Sequence, residues 1–161
     1  MPDLESLLDR LILGRVEFVI VGGFAAFAHG ATLYTEDIDI CCRFSADNLM
    51  RLQGALRDLH PGHRMTPSRV PLRLTADECR GLKDLYLDTD YGQLDCIGFV
   101  TGVGDYQAVE KESVEIQLPG GPCRILKIDA LIRAKEALGR PRDVEAVLQL
   151  KAIRERLARK G

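Results

Sequence analysis

No stretch of this 161-residue chain is long and apolar enough to cross a bilayer: the most hydrophobic run, Phe18 to Ala28, is broken by Gly22 and Gly23 and preceded by Arg15 and Glu17. The cleavage-site pattern of a secretory signal is missing as well, so a cytoplasmic location without a membrane partner is expected. The five cysteines, Cys41, Cys42, Cys79, Cys96 and Cys123, are odd in number and form no C-x-x-C pair, which argues against a disulfide framework or a zinc site. Neither basic nor acidic side chains dominate. With 22 basic against 24 acidic side chains, a net of -2, the chain is no uniformly basic nucleic-acid coat, although a local basic face stays open. Repeats, linkers and low-complexity tracts are absent. What remains is 46% hydrophobic and large enough to bury about two-thirds of its unfolded surface. One domain over 1–161 is expected, with a core at about 16–128 and a helical C-terminal end at 129–161.

Leu4, Leu7, Leu8, Leu11 and Ile12 lie at helical spacing, ending near Gly14. Val16 to Val21 reads as a buried strand, Gly22-Gly23 as the turn after it, and Phe24 to Ala28 as a short helix packed close to the sheet. Asp37 to Arg43 reads as a second strand, and Ser45 opens a helix with Leu49, Leu52, Leu56 and Leu59 on one stripe. Residues 60–74, rich in Pro, Arg and His, predict a long surface loop, and Thr75 to Glu78 a capping box opening a short helix that Gly81 stops. Two hairpins follow, Asp84–Asp88 with Gln93–Val100 and Val114–Leu118 with Cys123–Ile128. Helices at Asp129–Leu138 and from Arg142 to about Arg159 close the chain. The sum is an α/β (α+β) mixed β-sheet flanked by helices, two of them C-terminal.

The chemistry-bearing pattern begins at Thr35-Glu36-Asp37-Ile38-Asp39-Ile40. Residues two apart on a strand point to the same face about 6.6 Å apart, so Asp37 and Asp39 project together while Ile38 and Ile40 enter the core. Two carboxylates aimed alike repel unless a cation lies between them, and magnesium favours one or two carboxylates plus substrate phosphates. An exposed strand face with alternate acids would show the same pattern. Gly22-Gly23, at a strand end and opening a helix, suits either a bound phosphate or a tight turn with close packing. It makes no G-x-G-x-x-G fingerprint and no Walker loop. Asp95 stands inside the apolar strand Leu94-Asp95-Cys96-Ile97 and needs a partner unless it faces water from a sheet edge. If its strand lies beside Asp37–Arg43, three carboxylates can hold two metals about 3.5 to 4 Å apart, the spacing of in-line phosphoryl transfer.

The Gly-Gly turn, the Asp-x-Asp strand downstream and a third Asp on a later strand resemble the nucleotidyltransferases of the DNA polymerase beta superfamily. Tyr91-Gly92-Gln93-Leu94-Asp95, Gly102-Val103-Gly104-Asp105-Tyr106 and the stretch from Ile132 through Asp143 are similar to its small stand-alone prokaryotic members, including those related to toxin-antitoxin and abortive-infection nucleotidyltransferases. The resemblance implies a mixed-sheet nucleotidyltransferase fold and magnesium-dependent transfer of an NMP from an NTP to an acceptor hydroxyl, releasing pyrophosphate. It implies that Asp37, Asp39 and Asp95 are catalytic and bind two Mg2+ ions, with Mn2+ as a substitute. Gly22, Gly23 and Thr35 would lie against the triphosphate, joined by Lys135 and, as further candidates, Arg133, Arg140 and Arg142; Asp143 would cap or pair near the next helix start. Family members often carry Arg two residues before the Thr, where this chain has Leu33. The acceptor stays open among a tRNA or RNA end, a protein side chain and a small molecule, and loop 60–74 is a candidate for its recognition. A cognate toxin or antitoxin partner and a homodimer are compatible arrangements. The alternative is a weakly active or inactive nucleotide-binding regulatory partner of the antitoxin kind.

Cys41 and Cys42 read as packing residues, and His29, His60 and His63 make no metal spacing. Leu131, Ala134 and Leu138 form the apolar stripe of the penultimate helix, leaving Lys135 at its edge. Ala146, Leu150, Ile153 and Leu157 form a stripe for core or dimer packing. The net charge is a cancellation: residues 1–130 hold 13 basic and 20 acidic side chains, a balance of -7, and residues 131–161 hold 9 and 4, a balance of +5. An acidic body with a basic helical end suits phosphate or a polyanionic acceptor.

Overall fold

The structure, a computed structural model, describes residues 2–32 and 35–160; Leu33 lies outside the described residues. Helix α1, Leu4–Leu13, is capped by Asp3, whose carboxylate accepts from Ser6 N (3.1 Å), and it buries Leu7, Leu8 and Leu11. Strand β1, Phe18–Val21, is buried throughout and runs straight into α2, Gly22–Ala28. The transition takes no loop because Gly22 adopts φ +70°, a conformation that lets the chain turn within one residue. Strand β2 spans Asp37–Cys42, and α3, Ala46–Ala55, is capped by Ser45. A short 3-10 turn at Arg57–Leu59 follows.

Segment 60–74 is not simply a loop. It contributes two short strands, β3 at Gly62–His63 and β4 at Val70–Pro71, which extend the sheet at one edge. Two-residue strands are too short for a period of two to register in sequence. Beyond them, the expected short helix is only a turn: Glu78 N donates to Thr75 Oγ1 (3.3 Å) as the capping box requires, but no helix propagates. The residue before it is held elsewhere, since Leu74 N donates to Gln53 Oε1 on α3 (2.5 Å).

Both hairpins form, the first from β5 (Asp84–Thr89) and β6 (Gly92–Ile97) and the second further along the chain. Between them lie β7, Phe99–Val100, and β8, Gly104–Asp105, which pair with each other, and a six-residue helix α4, Tyr106–Lys111, which no periodicity announces. Strands β9, Ser113–Leu118, and β10, Gly121–Leu126, lead to α5, Ile128–Leu138, and α6, Pro141–Lys160. The main sheet has the order β4-β3-β5-β6-β2-β1-β10-β9. It is mixed, with β2 parallel to β6 and β1 parallel to β10 among otherwise antiparallel pairs. Helices α1 and α3 pack together, while α2, α5 and α6 form a second group.

Ile38, Ile40 and Leu94 are fully buried, each contributing roughly 1.5–3 kcal/mol by removal from water. This burial sets the register of the strands that carry the acids, because a one-residue slip would exchange isoleucine for aspartate in the core. All five cysteines are free and buried, in keeping with packing roles. Burial pushes the Cys41 and Cys123 thiols up to about 12, away from nucleophilic use.

Candidate active site

Parallel pairing of β2 with β6 sets Asp39 directly beside Asp95, with Asp37 two residues back on the same face. The carboxylates of Asp37, Asp39 and Asp95 each offer an oxygen within 4.8 Å of the others. Asp39 feels this most. Its pKa is raised to about 7, first by burial and then by the charges of Asp37 and Asp95, against the opposing pull of Lys135 and Arg140. Burial likewise pushes the Asp95 carboxyl up, with Arg64 opposing. Three crowded oxygen donors that cannot all ionise comfortably fit a hard divalent cation, which would relieve the repulsion that raises Asp39.

The glycine pair has a specific reason. A Cβ on Gly22 would stand 2.9 Å from Asp39 Cβ and overlap its carboxylate; one on Gly23 would meet Thr35 Oγ1 at 3.2 Å. The space a side chain would take is filled by Asp39 and Thr35, so the turn is shaped around the acidic strand. Thr35 in turn donates from Oγ1 toward Asp37 O (3.0 Å) and Asp37 Oδ1 (3.2 Å), ordering the first acid.

Across from the acids stand the C-terminal helices. The cleft, about 590 Å³, brings together Gly22, Gly23, Thr35, the three aspartates, Lys135, Arg140 and Arg142. Glu36 and Glu145 line it as well and were not singled out from sequence. Lys135 is not at the edge of its stripe but buried, 8% exposed, while Leu138, expected in the core, is 49% exposed. The difference arises because α6 folds back on α5 and supplies Asp143, itself buried. Asp143 accepts from Arg140 Nε (2.6 Å) and Nη2 (3.2 Å) and from Arg140 N (3.2 Å), and stands 3.9 Å from Lys135 Nζ. Burial raises the Asp143 carboxyl, but the Arg140 hydrogen bonds and the two cations outweigh it and hold the group below its ordinary value. Burial lowers the Lys135 pKa, with Asp143 opposing. Arg133 is placed elsewhere: it faces Glu112 (3.3 Å) and Gly102 O (3.5 Å) and does not line the cleft.

Sequence reasoning missed Arg64. Its backbone N donates to Tyr86 O (2.9 Å), Tyr86 registers with Asp95, and Asp95 with Asp39, so four residues form one row across the sheet. From the end of that row the guanidinium passes over the Tyr86 ring, 5.7 Å from its centroid, and pairs with Asp95. No local signal marks it; the only hint is the arginine content of segment 60–74. A second chamber of about 350 Å³ shares Gly22, Asp39, Asp95, Lys135 and Arg140 with the cleft. Its apolar walls include Tyr86, Ile97 and Leu131, a packing surface for a ring system beside the carboxylates.

No family model matches the chain, and no curated protein matches it in sequence. The likeness lies in the fold. The lincosamide antibiotic adenylyltransferase LnuA, solved with lincomycin bound, superposes with a TM-score of 0.59 at 16% identity, over 93% of this chain and 95% of that one. The antibiotic-resistance factor ANT(2'')-Ia gives 0.56 at 14% identity, over 98% and 92%. A nucleotidyltransferase-like protein from Paracoccidioides brasiliensis gives 0.54 at 17% identity, over 91% and 72%. The chain has the nucleotidyltransferase fold that its motifs imply, a mixed sheet with helices and a helical C-terminal pair.

Proposed function

We propose that this protein is a nucleotidyltransferase that moves an NMP from an NTP to an acceptor hydroxyl, and that Asp37, Asp39 and Asp95 are its catalytic carboxylates. The observation that carries the reading is their convergence within 4.8 Å, facing a cleft whose other wall holds Lys135, Arg140 and Arg142. The three acids would hold two Mg2+ ions, or Mn2+ in their place, which when bound neutralise phosphate charge and favour the ionised acceptor hydroxyl. The chain's own residues do the rest. Lys135, Arg140 and Arg142 pair with the triphosphate, and the side-chain-free backbone of Gly22-Gly23 lets it approach the floor of the cleft. Asp143 keeps Lys135 and Arg140 charged and aimed. Asp95, beside Asp39 on the neighbouring strand, orients the acceptor oxygen for attack on the α-phosphorus; the Pα–O bond to pyrophosphate breaks as the new one forms. Such a reaction asks mostly for positioning and charge neutralisation, which this cleft offers without a dedicated acid or nucleophile.

The test is label transfer from α-labelled NTP, with pyrophosphate release followed in parallel, for the wild type and Asp37→Asn/Asp39→Asn. Labelling that persists in the double variant would refute the assignment. Metal-dependent NTP binding without pyrophosphate release across RNA, protein and small-molecule acceptors would favour the regulatory, antitoxin-like alternative.

A further inference from the structure

Segment 60–74 lines no part of the cleft and meets it only where Arg64 pairs with Asp95, yet it forms most of a second groove of about 650 Å³ at the β4 edge of the sheet. Three arginines rim it from three places: Arg57 on the 3-10 turn, Arg69 just before β4 and Arg73 just after it. Its floor is apolar, made of Pro61, Pro71, Leu72 and Leu74, and no aspartate or glutamate lines it. The concentration of charge is local. Residues 51–73 hold five arginines and one acid, Asp58, within a part of the chain where acids outnumber bases 20 to 13.

The arginines differ in what holds them. Arg69 is built in: its Nη2 donates to Asp88 O (3.1 Å) and to His60 O, and its side chain lies over Gly62, whose Cβ would come within 2.7 Å of Arg69 Nε. Arg57 and Arg73 make no hydrogen bond or ion pair among the described residues and are exposed. A fixed guanidinium beside two free ones, over an apolar floor, matches a nucleotide unit. Phosphate oxygens pair with the arginines while the base packs on proline and leucine or stacks on a guanidinium plane. A small inorganic anion would leave the floor unused.

The groove is also tied to the catalytic row. His63 pairs with Val70, and Arg64 and Arg69 are the next residues on either side, so their Cα atoms lie within about 13 Å of each other. One hairpin therefore presents Arg64 to Asp95 and Arg69 to the groove. We infer that this groove binds the backbone and bases of a single-stranded nucleic acid whose terminal hydroxyl reaches Asp95, making that strand the acceptor. The inference rests on the transfer reading above for its acceptor part alone; the groove and its ligand stand on the arginines and the floor.

The test measures fluorescence anisotropy of a labelled single-stranded RNA of about twelve nucleotides, without NTP or magnesium, on the full chain carrying Asp37→Asn/Asp39→Asn. Adding Arg57→Glu/Arg73→Glu should weaken binding at least about tenfold. It should also lower the salt slope by about 1.4, the value for two lost phosphate contacts on a single strand. Arg57→Lys/Arg73→Lys should restore most of the affinity, and circular dichroism melts of both variants check that the fold is intact. No RNA binding at about 50 mM salt, equal affinity of the Glu variant, or a preference for phosphatidylglycerol vesicles over RNA would each overturn the inference. Such a failure would leave nucleotidyl transfer untouched, whereas intact RNA binding with no transfer by the wild type would count against the transfer reading alone.

Discussion

Gly22 and Asp39 occupy one another's space: the backbone of the glycine lies so close to the aspartate that any Cβ there would stand 2.9 Å from Asp39 Cβ and overlap its carboxylate. Since Gly22 also has φ +70°, an L side chain is excluded both by its own backbone and by its neighbour. The glycine turn and the acidic strand are one unit, in which the first exists to seat the second.

Gly22→Ala should therefore behave as a catalytic-site variant although glycine carries no functional group. Displacing Asp39 by about 1 Å is enough to cost about a hundredfold in rate. Magnesium-dependent label transfer should fall by that order. Gly23→Ala, whose Cβ would meet the Thr35 side chain at 3.2 Å, should cost less.

The raised pKa of Asp39 predicts a pH dependence of stability in the absence of metal. A carboxyl whose folded pKa, about 7, lies above its unfolded value, 3.8, favours the folded state while protonated. That contribution is fully present below about pH 4 and lost as pH rises through about 7. In EDTA, Asp39→Asn should melt higher than wild type at about pH 8, with the gap narrowing toward about pH 5. A gap independent of pH would show that Asp39 ionisation is not its cause. Because divalent binding needs the ionised carboxylate, thermal stabilisation of the wild type by magnesium should grow over the same interval.

Arg64 competes with any cation for Asp95. Arg64→Ala should tighten Mn2+ binding, read by isothermal titration, while lowering metal-free stability by about 1.5–3 kcal/mol, the usual range for a hydrogen bond to a charged group. Weaker Mn2+ binding would mean that Arg64 instead holds Asp95 in place for the metal.

Asp143 neutralises the buried ammonium of Lys135 and aims Arg140. Removing it leaves an uncompensated charge, so Asp143→Ala should destabilise the fold by about 3–5 kcal/mol in urea unfolding. Asp143→Asn, which keeps one acceptor for Arg140, should be milder, yet still raise the KM for NTP more than it lowers kcat.

Much of the site is legible in the amino-acid sequence because it rests on local geometry. A strand period of two puts Asp37 and Asp39 on one face whatever surrounds them, and a Gly-Gly pair between a strand and a helix pattern marks a turn needing close approach. An aspartate within the apolar run Leu94 to Ile97 announces a partner without naming it. Lys135, Arg140 and Arg142 line the cleft, whereas Arg133 points elsewhere because a helix turns 100° per residue and two positions decide between opposite faces.

Backbone periods acting over a few residues therefore impose the shared face of Asp37 and Asp39 and the turn at Gly22-Gly23. Tertiary packing, not any local period, sets β6 beside β2 in parallel and so makes two separated acids neighbours, Asp39 and Asp95. It alone decided that Arg64 reaches Asp95 across 31 residues of chain, and that Asp143 buries Lys135. Strand order and helix docking follow from how apolar faces cover one another, a property of the whole core that no local period encodes.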